Sequence, residues 1–205
     1  MAPVIILIRH AQALHNVDDN WEIFDPKLTA QGIEQCKIMA AGLEPQFPFT
    51  KDECKIVVSP LTRTLETVHH GLPWLVNQGV PVQVRAEWQE TTDNPCDIGD
   101  ELSKIQNDWP GFDFSQMDPA WPQKTGLYGP KEEDIQKRAA VCRTWLAEQP
   151  EKCIVVVTHS GFLRRLVTGP KYLNVEFRTY VMVDRGAAGG LELTELSKEQ
   201  PAMSE

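Results

Sequence analysis

Val4-Ile5-Ile6-Leu7-Ile8 runs without a break into Arg9-His10. A strand with one face in water alternates apolar and polar residues, whereas a strand covered on both faces does not. This run therefore predicts a central strand with helices above and below it, ending where a cation and an imidazole begin. Ile154-Val-Val-Val-Thr158 repeats the pattern and ends at His159, and the shorter Lys55-Ile-Val-Val-Ser59 ends at Pro60. Between these runs the period changes to that of helices. Ile33, Cys36, Ala40 and Leu43 recur at helical spacing, with Thr29 placed as a cap and Gly42 near the end. Ile135, Ala139, Cys142 and Leu146 do the same. Pro60 reads as the first residue of a further helix, and Ser160 as the start of another ending near Gly169-Pro170. Phe177 to Val183 and Leu191 to Leu196 read as final strands, antiparallel at the edge, with Gly186 to Gly190 as the turn between them and a frayed tail from Ser197. Strands alternating with helices predict an α/β fold: a three-layer α/β/α sandwich on a mostly parallel sheet with an antiparallel edge strand.

The chain's 205 residues fit a single domain spanning 1–205. One stretch stands apart. Residues 91 to 130 hold five prolines interleaved with Trp109, Phe112, Phe114, Trp121 and Tyr128, and keep no period. That is too long for an ordinary connection and reads as a lid-like insert. Its rings pack on something, the core more readily than a ligand; as a lid they would suit a substrate with an apolar or ring-shaped group.

Lys plus Arg is 20 against 29 Asp plus Glu, a formal net charge of -9. Bulk attraction to nucleic acid or to an anionic membrane is excluded, so any anion must be held by cations gathered locally. The five cysteines are scattered with no Cys-x-x-Cys pair, which argues against a disulfide framework and a structural zinc site. The first apolar run is too short for a signal core or a transmembrane helix. The expectation is a cytoplasmic protein without a metal or other cofactor, its oligomeric state left open.

In open parallel sheets, ligands bind beyond the carboxyl ends of the strands. Arg9-His10, Ser59-Pro60-Leu61-Thr62-Arg63, Glu90 and Thr158-His159-Ser160-Gly161 all fall there. Two histidines, two arginines and one carboxylate then converge on one sheet edge, a set suited to phosphoryl transfer through a histidine. A transferring phosphoryl group spreads charge over three oxygens, which Arg9 and Arg63 hold as forked donors. His159 and the backbone N–H groups near Ser160 add further donors. A neutral His10 attacks phosphorus, provided its other ring nitrogen is fixed by a hydrogen bond. Glu90 protonates the leaving oxygen and then deprotonates the hydrolytic water. Glu87 and Asp93 are rivals for that role. His15 either touches substrate or packs beside Asn16. Glu66 reads as a structural charge, His69 and His70 as surface residues late on a helix, and no histidine sits in a metal-ligand spacing.

Taken together, Leu7-Ile8-Arg9-His10-Ala11, Asn16, Leu28-Thr29-x-x-Gly32, Ser59-Pro60-Leu61-x-Arg63-Thr64-x-x-Thr67, Gln89-Glu90 and Val157-Thr158-His159-Ser160-Gly161 resemble the histidine phosphatase superfamily. The likeness is to its phosphoglycerate mutase-like branch, and the run from Arg9 to Asn16 resembles a fungal or yeast phosphatase subgroup. The resemblance implies a phosphohistidine intermediate and no metal. It implies His10 as nucleophile, Glu90 as acid, and Arg9, Arg63 and His159 around the phosphate. Asn16, His15, Ser160 and Gly161 are placed against the phosphate or substrate. Ala11 departs from the glycine found in many members, and the residues after His10 differ from those of the glycolytic mutases. The expected partner is a small phosphorylated molecule, with no nucleic acid and no membrane. Rival readings are a mutase or isomerase using the same site, and a non-catalytic protein that binds a phosphorylated ligand.

Overall fold

The computed structural model describes residues 3–186 and 190–196. Residues 187–189 of the expected turn and the tail from Ser197 lie outside the described residues. A mixed six-stranded sheet forms the middle layer, in the order β3-β2-β4-β1-β5-β6. Its strands are β1 (Val4–Arg9), β2 (Cys54–Val58), β3 (Val82–Val84), β4 (Cys153–Thr158), β5 (Phe177–Asp184) and β6 (Leu191–Glu195). β1, β4, β2 and β3 run parallel; β5 is antiparallel to β1 and β6 antiparallel to β5.

The unbroken apolar runs serve two cores at once. Ile6, Ile8, Ile56, Val58, Val155 and Val157 point to one face, and Ile5, Leu7, Val57, Ile154 and Val156 to the other. The first face is covered by α1 (Ala30–Leu43), α2 (Thr62–Gly71), α3 (Pro73–Asn77) and α4 (Leu102–Asp108), and the second by α5 (Glu132–Ala147) and α6 (Ser160–Leu166). Each aliphatic side chain buried this way contributes about 1.5–3 kcal/mol, which is why the pattern persists on both faces.

The four α5 residues expected inward are all buried. On α1 the buried seam runs Gly32, Cys36, Met39 and Leu43, leaving Ile33 and Ala40 half-buried. Thr29 caps α1, its hydroxyl accepting from the Gly32 amide at 2.9 Å. Gly32 is needed for a close approach: a Cβ there would stand 2.1 Å from the Gln12 carbonyl oxygen.

Several boundaries differ from expectation. α2 begins at Thr62, not at Pro60. Its first turn is capped from elsewhere, by the Asp25 carboxylate, which accepts from the Thr62 amide at 2.9 Å and hydroxyl at 2.7 Å. α6 ends at Leu166, four residues before Pro170, where Val167 turns extended and Arg143 donates to the freed Arg165 and Leu166 carbonyls. Only β6 lies at the antiparallel edge; β5 is interior, paired with β1 as well.

The segment 91–130 is a covering layer. Phe114, Trp121 and Tyr128 are buried in the core on the α1–α2 face, with Trp109 and Phe112 packed against it. Asp113 pairs with both sides of the β3 edge, donating to the Val82 carbonyl and accepting from the Val84 amide, each at 2.8 Å. The edge strand's free backbone groups are thereby satisfied.

The chain leaves β1 toward β2, on one side, and leaves β4 toward β5, on the other. The crevice at a sheet's carboxyl edge opens where neighbouring strands part in this way.

Candidate active site

His10 follows β1, and its amide donates to the Thr158 carbonyl at 2.9 Å, extending the strand pairing by one residue. Asn174 holds the other side of His10, its Nδ2 donating to the His10 carbonyl at 2.9 Å. Beside it Val175 takes φ 55°, a conformation a β-branched residue adopts only when its surroundings compel it, and donates to the Arg9 carbonyl at 3.1 Å.

The His10 ring is 2% exposed, and its Nδ1 lies 2.7 Å from the Ala11 carbonyl oxygen. A carbonyl only accepts, so Nδ1 carries the proton and Nε2 of the neutral ring carries the lone pair. Burial, then the charges of Arg63 and Arg9, hold the His10 pKa well below its ordinary value. Behind it stands His159, fully buried, with ring centroids 5.2 Å apart and Nε2 2.7 Å from the Ser59 hydroxyl. His159 does not border the cavity itself.

Arg63 lies in the first turn of α2 with 1% exposure. Its guanidinium donates to the Asp97 carboxylate at 2.8 Å and to the Cys96 carbonyl at 2.5 Å. Thr67 ties the same helix to the His10 loop: its hydroxyl accepts from the Ala11 amide at 3.0 Å and donates to the Arg63 carbonyl at 2.6 Å. Arg9 donates to the Tyr172 carbonyl at 2.9 Å. Among the described residues, the Nε groups of Arg9 and Arg63 and the hydroxyl of Ser160 are buried without a hydrogen-bond partner.

Glu90 faces these cations. Its carboxylate accepts from the Thr91 and Gly161 amides, each at 2.9 Å. A Cβ on Gly161 would lie 2.4 Å from Glu90 Oε1, so glycine is what admits the carboxylate here. The Gly161 amide, expected among the donors to a bound anion, is thus engaged with Glu90. Burial first, and then the charge of Asp97, raise the Glu90 pKa. The rival carboxylates lie elsewhere: Glu87 pairs with Arg85 at 2.6 Å outside the cavity, and Asp93 is exposed and does not border it. Glu66 is structural, accepting from the Leu28 amide at 2.6 Å. His69 is exposed and His70 half-buried at the end of α2.

One open cavity of about 320 Å³ lies over His10. Arg9, His10, His15, Asn16, Arg63, Glu90, Ser160 and Gly161, all expected from the sequence, meet there. None of the rings of 91–130 does; they are taken up by the core, the favoured expectation, and the alternative of an aromatic lid over a ligand is not formed. Only Thr91, Thr92, Asn94 and Asp97 of that segment reach the cavity. Asp97, Trp21, Arg164 and Lys171 were not foreseen. Asp97 and Trp21 lie in stretches without a period, and only tertiary pairing brings them in. Among the described residues, no group of three or more His, Cys, Asp or Glu is placed to hold a metal ion, and no helix is long and apolar enough to cross a membrane.

The family model for the histidine phosphatase superfamily (branch 1) matches residues 5–199. A probable phosphatase of Schizosaccharomyces pombe is 30% identical over 166 residues, covering 78% of this chain and 75% of that protein. Among solved structures, a putative alpha-ribazole-5'-P phosphatase from Escherichia coli superposes with a TM-score of 0.62 at 21% identity, over 95% of this chain and 96% of that one. A phosphoserine phosphatase from Entamoeba histolytica gives 0.58 at 19%, over 96% and 98%. The structural likenesses establish a shared fold, and the sequence match establishes kinship: the chain belongs to the histidine phosphatase superfamily, branch 1.

Proposed function

We propose that this protein hydrolyses a small-molecule phosphomonoester through a phosphohistidine at His10, without a metal. The observation that carries the reading is the fixed tautomer of His10. An imidazole buried beside two guanidinium groups, with Nδ1–H given to the Ala11 carbonyl, keeps an unprotonated Nε2 at neutral pH. A protein that only binds phosphate has no need of that arrangement.

In the first step the Nε2 lone pair forms a bond to phosphorus as the ester P–O bond breaks. Glu90 gives its proton to the departing oxygen, and its raised pKa favours the protonated form this requires. The imidazole retains its Nδ1 proton and becomes a phosphoimidazolium, whose positive charge makes nitrogen a ready leaving group. In the second step the Glu90 carboxylate takes a proton from water and the resulting hydroxide attacks phosphorus. The P–N bond breaks, Nε2 regains its lone pair and orthophosphate departs. Arg9 and Arg63 neutralise the phosphoryl oxygens throughout. Arg63 meets the anion in a set orientation, because Asp97 and the Cys96 carbonyl already hold two of its nitrogens. His159, anchored by Ser59, supports the back of the His10 ring, while Asn16 and Ser160 sit beside the anion as polar contacts.

The direct test is turnover of p-nitrophenyl phosphate in excess EDTA. Wild type is active under chelation, and His10→Ala loses about three or more orders of magnitude in kcat, as removal of a nucleophile does. Equal rates in the two proteins contradict the reading.

A further inference from the structure

The cavity above His10 has two unlike walls. One is cationic, with Arg9 and Arg63 deep inside and Arg164 and Lys171 exposed farther out. The other is a file of rings. His10 and His15 have centroids 5.9 Å apart, and His15 and Trp21 5.5 Å apart. Burial is the main cause that lowers the His15 pKa to about 4, so at neutral pH its ring is uncharged. Both imidazoles are therefore uncharged, and the file of rings leads out from the buried nucleophile, through His15 at 3% exposure, to an exposed indole.

Trp21 ends that wall. It is 44% exposed and is the sole large apolar side chain among the described residues that border the cavity. Its position is fixed by backbone: the Cys96 amide donates to the Trp21 carbonyl at 3.1 Å, and the Asp25 amide to the Pro95 carbonyl at 3.4 Å. The same two bonds join its segment to the Arg63–Asp97 pair. Leu14 and Phe24, exposed on the same segment, border a separate groove with Trp109, so the indole alone meets what enters over His10. An indole held half in water at the mouth of an anion site is a stacking surface for a flat group.

We infer that the substrate is a phosphomonoester whose leaving group carries a planar, largely apolar ring system, and that this ring stacks on Trp21. The inference rests on the phosphatase reading for its orientation, with the phosphoryl group at His10 and the leaving group running along the wall. Length supports it. The indole stands two ring contacts out from His10, of 5.9 and 5.5 Å, so a leaving group must extend beyond the phosphoryl group to meet it. Trp21, and not the rings of 91–130, then sets the preference among phosphomonoesters.

The test separates binding from hydrolysis by using phosphonates, whose P–C bond is not cleaved. Affinities of (1-naphthyl)methylphosphonate and methylphosphonate are measured by calorimetry for wild type, Trp21→Ala and Trp21→Phe. Wild type prefers the naphthyl compound by about tenfold or more, the size expected from an aromatic pair plus the area it covers. The preference falls to near one in Trp21→Ala and is largely kept in Trp21→Phe. In parallel, kcat/KM for 1-naphthyl phosphate relative to glycerol 3-phosphate shifts by the same factor. No preference in wild type, the same preference in Trp21→Ala, or no binding of either phosphonate at millimolar concentration each overturns the inference. A protein that keeps the naphthyl preference yet hydrolyses neither ester removes the phosphatase reading and leaves the stacking surface. An active phosphatase indifferent to the ring does the reverse.

Discussion

At the floor of the cavity, Arg9 ends β1 and His10 follows it, with His159 behind the ring directly after β4, and the register of those strands fixes where their backbones lie. At the mouth, Trp21, Thr92, Asn94, Asp97 and Lys171 come from segments with little regular structure, and Asp97 joins Thr92 at 2.6 Å to Arg63 of the floor at 2.8 Å. In the function proposed here, the floor holds the groups that any phosphomonoester requires, and the mouth holds those that distinguish one ester from another. A sheet edge supplies the rigidity that the chemistry needs, whereas loops supply side chains that vary without disturbing the sheet.

The division is broken most severely through Glu90, where the two regions join. Its carboxyl sits at the end of the floor, yet its elevated pKa owes something to Asp97 of the mouth. Glu90→Gln slows alkyl phosphates by about 10²–10⁴-fold, since their leaving oxygen needs the proton. It slows p-nitrophenyl phosphate far less. The sign of the pH dependence follows. Because the carboxyl is held above its ordinary range, the donor form persists to higher pH, and alkyl phosphate hydrolysis by wild type falls only as pH rises through that raised value. His10, pushed well below its ordinary value, sets no acid limb until far under pH 6.5. Steady-state rates from pH 4 to 9 with both kinds of leaving group check this. A uniform loss in Glu90→Gln places the acid elsewhere.

Asp97→Ala sharpens the comparison from the side of the mouth. It strands the buried Arg63 guanidinium, whose only carboxylate within ion-pair distance among the described residues is Asp97, at 2.8 Å. Removing one partner of a buried pair costs about 3–5 kcal/mol, read as a lower midpoint in urea. Orthophosphate, which restores a negative charge beside the guanidinium, recovers part of the loss, and Asp97→Asn loses less than Asp97→Ala. A loss under about 1 kcal/mol, the level of an exposed pair, means that the mouth does not brace the floor.

The sequence made the floor legible because its signals are local. Apolar runs that end in Arg9-His10 and in Thr158-His159 announce both a buried strand and what lies beyond its carboxyl end. Thr29 announces the start of α1, and the structure shows the cap, with the close approach that Gly32 permits beside it. What stayed hidden depends on partners distant in the chain. The start of α2 is set by Asp25, 37 residues from Thr62, so Pro60 was a misleading cue. Asp97 meets Arg63 across 34 residues, with nothing in either neighbourhood to signal the pair. The rings of 91–130 advertised burial without saying where; Phe114, Trp121 and Tyr128 turned to the core, and the single ring at the cavity mouth came from residue 21.

The central claim is that the His10 ring is transiently esterified. Wild type is mixed with a phosphomonoester bearing a radiolabelled phosphoryl group, quenched in alkali within a single turnover, digested and mapped. The account predicts label on the peptide carrying His10, stable in base, released by acid, and absent from His10→Ala. Turnover of substrate with no label at His10 at any quench time contradicts it.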